Sequence, residues 1–133
     1  MSGSFFDSNV ILYFASDSDA KSFRAELLVN QGGMISIQVL NECAYVLRTK
    51  RARSWPDVRD FLAGLRMRLK VIPMTLDIHE SGLRLAERYS FSVYDSFIVA
   101  AALAADCETL WSEDMQHGMM VDGRLRITNP FAP

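Results

Sequence analysis

Cysteine and histidine are scarce in this 133-residue chain, with two of each. Cys43 and Cys107 sit in apolar, helix-like stretches, and no Cys/His spacing resembles a zinc site. A disulfide framework and a zinc-organised fold are therefore both excluded, and the two thiols read as reduced core residues of a cytoplasmic protein. His79 and His117 each stand alone, with no Ser/Asp partner at a useful spacing, so they read as ordinary surface or helix residues. Long hydrophobic runs are missing too. The most apolar stretch, Phe97 to Ala105, falls far short of the roughly 20 residues a bilayer span needs. The opening Met1-Ser2-Gly3-Ser4-Phe5 lacks the basic-then-apolar pattern of a secretory signal, so no membrane partner is expected. Nor is positive charge in excess. A net charge of -2 does not announce a nucleic-acid binder, although local patches can oppose the net value. With no repeat, low-complexity segment or linker, residues 1–133 are expected to form a single domain.

What is present is apolar residue in plenty, half of the chain, arranged as short strands alternating with helices. Ser4 to Phe6 reads as a strand, followed by helical periodicity to Asn30 with a break at Asp17-Ser18-Asp19. After the turn Gln31-Gly32-Gly33, Met34 to Ile37 reads as a second strand and Gln38 to about Lys50 as a helix with an apolar face of Val39, Leu40, Cys43, Val46 and Leu47. Ser54-Trp55-Pro56-Asp57 opens another helix, with a capping serine and an early proline. Val71-Ile72 is a third strand, Asp77 to about Tyr89 an amphipathic helix, and Ser92-Val93-Tyr94-Asp95 the start of a largely buried helix. Thr109-Leu110-Trp111 and Arg126-Ile127-Thr128 complete the strands. This alternation predicts an α/β fold, a three-layer sandwich with a short central parallel sheet flanked by helices. In such folds ligands collect beyond the carboxyl ends of the strands.

Four acids occupy telling places. Asp7 follows the apolar Phe5-Phe6 at a strand exit, where it either caps the next helix or serves a ligand. Glu42 lies three residues after Val39 and four before Val46, on or beside the apolar stripe, so it needs a partner: an arginine or a metal. Asp95 sits in a capping box, yet Ile98, Val99 and Ala102 follow at helical spacing and turn it inward. Asp114 comes just after the Thr109–Trp111 strand; its neighbour Glu113 reads as the solvent-facing member of the pair. Carboxylates gathered together raise one another's pKa, and a divalent cation relieves the repulsion. Hard cations such as Mg²⁺ or Mn²⁺ take oxygen ligands. Arg48, Lys50, Arg51 and Arg53 form a basic run at the end of the Glu42 helix, which either complements the helix terminus or contacts phosphates. Trp55, Trp111 and the methionines are expected to fill core or interface rather than stack on bases.

These segments together resemble the PIN-domain ribonucleases, and in size and layout the bacterial VapC-type toxins. The resemblance is carried by Asp7-Ser8-Asn9-Val10 after an apolar strand and by Glu42 in Ser36-Ile37-Gln38-Val39-Leu40-Asn41-Glu42. It continues with Asp95 in Tyr94-Asp95-Ser96-Phe97-Ile98-Val99-Ala100-Ala101-Ala102, then Ser112-Glu113-Asp114 and a terminal Asn129-Pro130-Phe131. It implies a Mg²⁺- or Mn²⁺-dependent endoribonuclease with Asp7, Glu42, Asp95 and Asp114 as catalytic and metal-binding residues. Asn9 and Ser112 would orient them from behind, and Arg48, Lys50, Arg51 and Arg53 would bind RNA. It further implies cleavage to a 5′-phosphate and a 3′-hydroxyl, a cognate VapB-like antitoxin, and a homodimer using helical surfaces within residues 38–69. Two other readings compete. A phosphoaspartate phosphatase also begins strand-Asp-x-Asp, but here Asn9 takes the second acid's place. A catalytically silent partner-binding module would use the acids only to hold an antitoxin's arginine.

Overall fold

The computed structural model describes residues 3–16 and 19–133, so the Asp17-Ser18 part of the expected helix break and the first two residues of the supposed non-signal start lie outside it. The elements run β1 (Gly3–Phe6), α1 (Ser8–Phe14), α2 (Ala20–Asn30), β2 (Met34–Ser36), α3 (Ile37–Tyr45), a π-helical turn (Val46–Lys50), α4 (Trp55–Arg68) and β3 (Lys70–Ile72). They continue with α5 (Leu76–Tyr89), α6 (Val93–Ala104), β4 (Cys107–Trp111), β5 (Met120–Val121) and β6 (Leu125–Thr128). Helix starts follow local chemistry: Asp7, Asp19, Ser36, Ser54, Thr75 and Ser92 each accept a hydrogen bond from a backbone N–H of the first turn. The expected helix from Gln38 to Lys50 is real, but its last turn widens to π geometry, where the Thr49 hydroxyl donates to Tyr45 O at 2.6 Å.

The strands form one sheet in the order β3-β2-β1-β4-β6-β5. Every pairing is parallel except β5 with β6. The expected parallel α/β sandwich is thus correct in kind, with one antiparallel edge strand added. β5 escapes the hydrophobic pattern because it is only two residues long. The cue to it is Asp122-Gly123, whose φ angles of 50° and 67° are positive as the tight turn closed by Arg124 N–H on Val121 O requires.

The core is built from the central strands and α6. Phe5, Phe6, Ile35, Leu110 and Ile127 are fully buried, and so are Ile98, Val99 and Ala102 of α6. α6 is apolar nearly all round and is buried from Ser96 to Leu103, as its sequence suggests. α5 packs along it so closely that a Cβ at Gly82 would lie 2.4 Å from Phe97 Cδ1.

One topological feature positions the site. The chain builds the sheet outward from β1 through β2 to β3, then crosses back to lay β4 on the other side of β1. The direction in which strands are added to the sheet therefore reverses between β1 and β4, which leaves a crevice at their carboxyl ends. Phe6 and Trp111 are paired there, Asp7 N–H donates to Trp111 O at 2.9 Å, and Ser112 N–H donates to Thr128 O at 3.0 Å. The residues just past these strands are held by backbone ladders.

Candidate active site

Asp7 stands at the floor of that crevice with 2 % of its surface exposed. Its backbone and one carboxylate oxygen cap α1: Oδ1 accepts from Ser8 N–H at 2.7 Å. Oδ2 accepts from Ser112 Oγ at 2.7 Å and from Asn9 Nδ2 at 3.1 Å. Capping and a ligand role are thus not alternatives here, since Asp7 caps with one oxygen and points the other into the site. Burial pushes its carboxyl up to about 6, with the charges of Asp95 and Glu42 adding to the rise and the bonds from Ser112 and Ser8 opposing it.

Glu42 reaches the same place from α3. Its Oε1 accepts from Ser8 Oγ at 2.7 Å and its Oε2 from Gln38 Nε2 at 2.7 Å. Ser8 thereby joins Glu42 to Asp7, so the partner foreseen for this acid is a hydroxyl and an amide rather than an arginine. Asp114, exposed in the loop after β4, accepts from Asn9 Nδ2 at 3.2 Å. Asp95 enters from the first turn of α6, half-buried, its N–H bonded to the Ser92 hydroxyl at 3.2 Å. The cap is therefore Ser92, and the Asp95 carboxyl feels the charges of Glu42 and Asp114. Burial raises its pKa, the contact with Ser92 opposes this, and the charges of Glu42 and Asp114 raise it further.

All four expected acids belong to one electrostatic cluster, and Asn9 and Ser112 lie inside it. Asn9 ties the cluster together: its Nδ2 contacts Asp7, Asp114 and Ser112 Oγ, and its Oδ1 accepts from Glu113 N–H at 3.1 Å. Ser8 and Gln38 are neighbours of the cluster that the sequence did not disclose, Ser8 because folding alone brings it to Glu42 and Gln38 because it lies one helical turn before that acid. Glu113 is not the solvated residue it was expected to be. It forms an ion pair with Lys21 and accepts from Tyr13 Oη at 2.9 Å, which holds its pKa down, the Lys21 bond foremost. That clamp pins the loop carrying Ser112 and Asp114 onto α1 and α2.

The basic run is partly committed within the chain. Arg51 donates to Leu12 O at 3.0 Å and Ser16 Oγ at 3.2 Å, closing the end of α1. Arg48 donates to Arg53 O at 3.1 Å and lies over the Trp55 ring at 4.8 Å, which leaves Trp55 outside the core. Lys50 and Arg53 present exposed side chains. Arg51 nonetheless lines a shallow cavity of about 210 Å³ together with Asn9, Tyr13 and Glu113, so part of the run borders the site. His79 packs on Phe97, with ring centres 5.2 Å apart, and His117 Nδ1 accepts from Asn129 N–H at 2.9 Å; neither belongs to the acid cluster.

Among the described residues no three His, Cys, Asp or Glu side chains stand close enough to form a ready-made metal cage. Ser8 instead bridges Asp7 to Glu42, and Asn9 bridges Asp7 to Asp114. The donor chemistry still fits a hard divalent cation. The donors are all oxygens, one carboxylate is deeply buried, and the ion pairs among the described residues use Glu113, Asp122 and Asp106 rather than any of the four acids.

The chain resembles known proteins both in sequence profile and in fold. The PIN-domain family profile matches residues 4–117. No curated protein matches. Several solved structures share the fold. A toxin–antitoxin complex from Klebsiella pneumoniae superposes with a TM-score of 0.74 at 19% identity, covering 97% of this chain and 98% of that one. DNA-bound VapBC from Salmonella typhimurium gives 0.70 at 16% identity, covering 98% and 99%. Mycobacterium tuberculosis VapC20, described as a sarcin–ricin loop cleaving toxin, gives 0.68 at 19% identity, covering 84% and 90%. At these identities the likeness establishes the shared fold.

Proposed function

This chain belongs to the PIN-domain family, and from that premise we propose that it is a Mg²⁺- or Mn²⁺-dependent endoribonuclease, the toxin of a toxin–antitoxin pair. One observation carries the reading. A buried carboxylate, Asp7, sits at the topological switch point of a parallel sheet with three more acids from separate elements around it, and no cationic side chain of the described residues neutralises them. Such a cluster is costly to the fold and is the arrangement that phosphodiester hydrolysis uses.

Asp7 and Asp95 would hold the cation, with Glu42 and Asp114 completing its surroundings directly or through water. When bound, the ion supplies charge neutralisation on the phosphoryl oxygens and an acidified water. The chain's own residues set the geometry. Ser8 N–H fixes Asp7 Oδ1, while Ser112 and Asn9 fix Oδ2, so the carboxylate plane cannot rotate. Gln38 and Ser8 do the same for Glu42. Lys50 and Arg53, exposed beside Arg51, are available to phosphates flanking the cleaved bond.

A VapB-like antitoxin as partner is supported by the toxin–antitoxin complexes that share the fold. The exposed Trp55 and Met67 of α4 support a partner face there, for the antitoxin or for a second copy in a homodimer. No helix among the described residues is long and apolar enough to cross a membrane.

The test is direct. Asp7→Asn and Asp95→Asn are expected to fold, by circular dichroism, and to lose at least about 100-fold of the Mg²⁺-dependent cleavage of RNA by antitoxin-free protein, in line with the loss of a metal's transition-state charge stabilisation. Retention of wild-type rates in either variant removes the site.

A further inference from the structure

A cavity of about 580 Å³ opens beside the acid cluster and shares Ser8 and Glu42 with it. Its other walls include Gln38, Asn41, Tyr45 and Tyr94. Two features of this wall call for an occupant. Tyr45 and Tyr94 are 61% and 65% exposed, and neither hydroxyl makes a hydrogen bond among the described residues. The Tyr94 ring meets Phe97 edge-on, with centres 6.3 Å apart, and the Tyr45 backbone accepts from the Thr49 hydroxyl at the entry to the π turn.

We propose that this cavity is a nucleobase pocket, in which a base adjoining the cleaved phosphate of a single-stranded RNA stacks on Tyr45 and Tyr94. The inference rests on the nuclease reading and deepens it. The chemistry of the wall selects the occupant. Carboxylates repel a phosphate unless a cation intervenes, and the acids that would hold one line the crevice, so the backbone belongs over the crevice and not in the cavity. A neutral base suits the wall: its exocyclic amino group can donate to Glu42 or to the exposed Asn41 amide, and its face covers tyrosine rings otherwise left to water. Stacking of this kind requires an unpaired base, because a duplex keeps its bases stacked on one another. The shared Ser8 and Glu42 place that base next to the point of cleavage.

The experiment uses the full chain carrying Asp7→Asn, so that RNA binds without being cut. Short single-stranded ribo-oligonucleotides carry 2-aminopurine at successive positions, and its fluorescence falls on stacking. Quenching is expected at one or two adjacent positions. Tyr45→Ala and Tyr94→Ala should each abolish it and weaken binding about tenfold, whereas Tyr45→Phe and Tyr94→Phe should retain both. In the cutting protein the alanine variants should raise KM about tenfold with kcat little changed. Both tyrosines are exposed, and thermal melting verifies that the variants fold. Unchanged quenching in the double alanine variant overturns the pocket. So does an equal loss of affinity for fully duplex RNA, or conversion of a dimer to a monomer with RNA affinity intact, which would assign this face to a second copy. Cleavage with a KM indifferent to both tyrosines overturns the pocket and leaves the nuclease standing. Tyrosine-dependent quenching in a protein whose Asp7 form cuts no RNA does the reverse.

Discussion

Asp7 is held in the fold at a cost that depends on pH, and the sign can be worked out. Its carboxyl titrates at about 6 in the folded chain against 3.8 for the ordinary side chain, mainly through burial. A carboxyl raised in the folded state favours folding when protonated. Its contribution is full below pH 3.8, falls as pH rises, and is gone above pH 6. The size of the shift corresponds to about 3 kcal/mol. In EDTA, the wild type should therefore lose about 2.4 kcal/mol of stability, relative to Asp7→Asn, between pH 4 and pH 7. The asparagine also presents an N–H₂ toward Asn9 or Ser112, a mismatch that shifts its stability at every pH, so the difference in slope is the quantity to measure by urea denaturation. Parallel slopes for the two proteins would show that Asp7 is not desolvated as described. The acids themselves were legible in the sequence, because strand exits and helical spacing are local patterns. Ser8 and Gln38 were not: Ser8 owes its role to Glu42, 34 residues away, and nothing near Ser8 marks it. Glu113 was misjudged for the same reason, since its partner Lys21 lies 92 residues back in the chain.

Elements obey local chemistry until tertiary packing overrules it, and two mid-helix glycines show both cases. Gly64 lies inside α4, and a Cβ there would meet nothing within 4 Å. Gly82 lies inside α5, and its Cβ would collide with the Phe97 ring of α6. Gly64→Ala should stabilise the protein by about 0.5–1 kcal/mol through helix propensity. Gly82→Ala gains the same propensity but must displace a buried aromatic ring, at a cost of about 1–3 kcal/mol, and should be net destabilising. Thermal midpoints that rise for the first and fall for the second bear out the α5–α6 contact; a rise for both disproves it. Helix starts were readable from Ser54 and Ser92 because capping involves residues only three apart. The π turn at Val46–Lys50 was not, because one turn too few repeats to declare a period. β5 is too short to show alternation, and the turn at Asp122-Gly123 is the one local mark of the hairpin it belongs to.

At the scale of the molecule, the cluster exists only because of strand order. Asp7 follows β1, Glu42 sits on α3, Asp95 on α6 and Asp114 beyond β4, and it is the placing of β2 and β4 on either side of β1 that gathers them. Alternating strands and helices predicted the sheet, but its order, and hence which acids converge, is a long-range property that periodicity does not carry. The folded chain therefore stores mutual repulsion that an unfolded chain does not feel, and a cation that binds only the folded form should relieve it. Mg²⁺ at about 100 times its Kd would raise stability by about 2.7 kcal/mol, visible as an increase in thermal midpoint. The increase should be largest above pH 6, where Asp7 is ionised, and should shrink as Asp7 protonates at lower pH. It should be absent in Asp7→Asn and reduced in Asp95→Asn, while Asp122→Asn, whose carboxylate is engaged by Arg84 and Tyr89 on α5, should respond as the wild type does. A midpoint equally indifferent to Mg²⁺ in all four proteins would mean that the gathered acids hold no metal, and the hydrolytic reading would lose its chemical basis. A midpoint raised equally in all four would place the ion elsewhere on the surface.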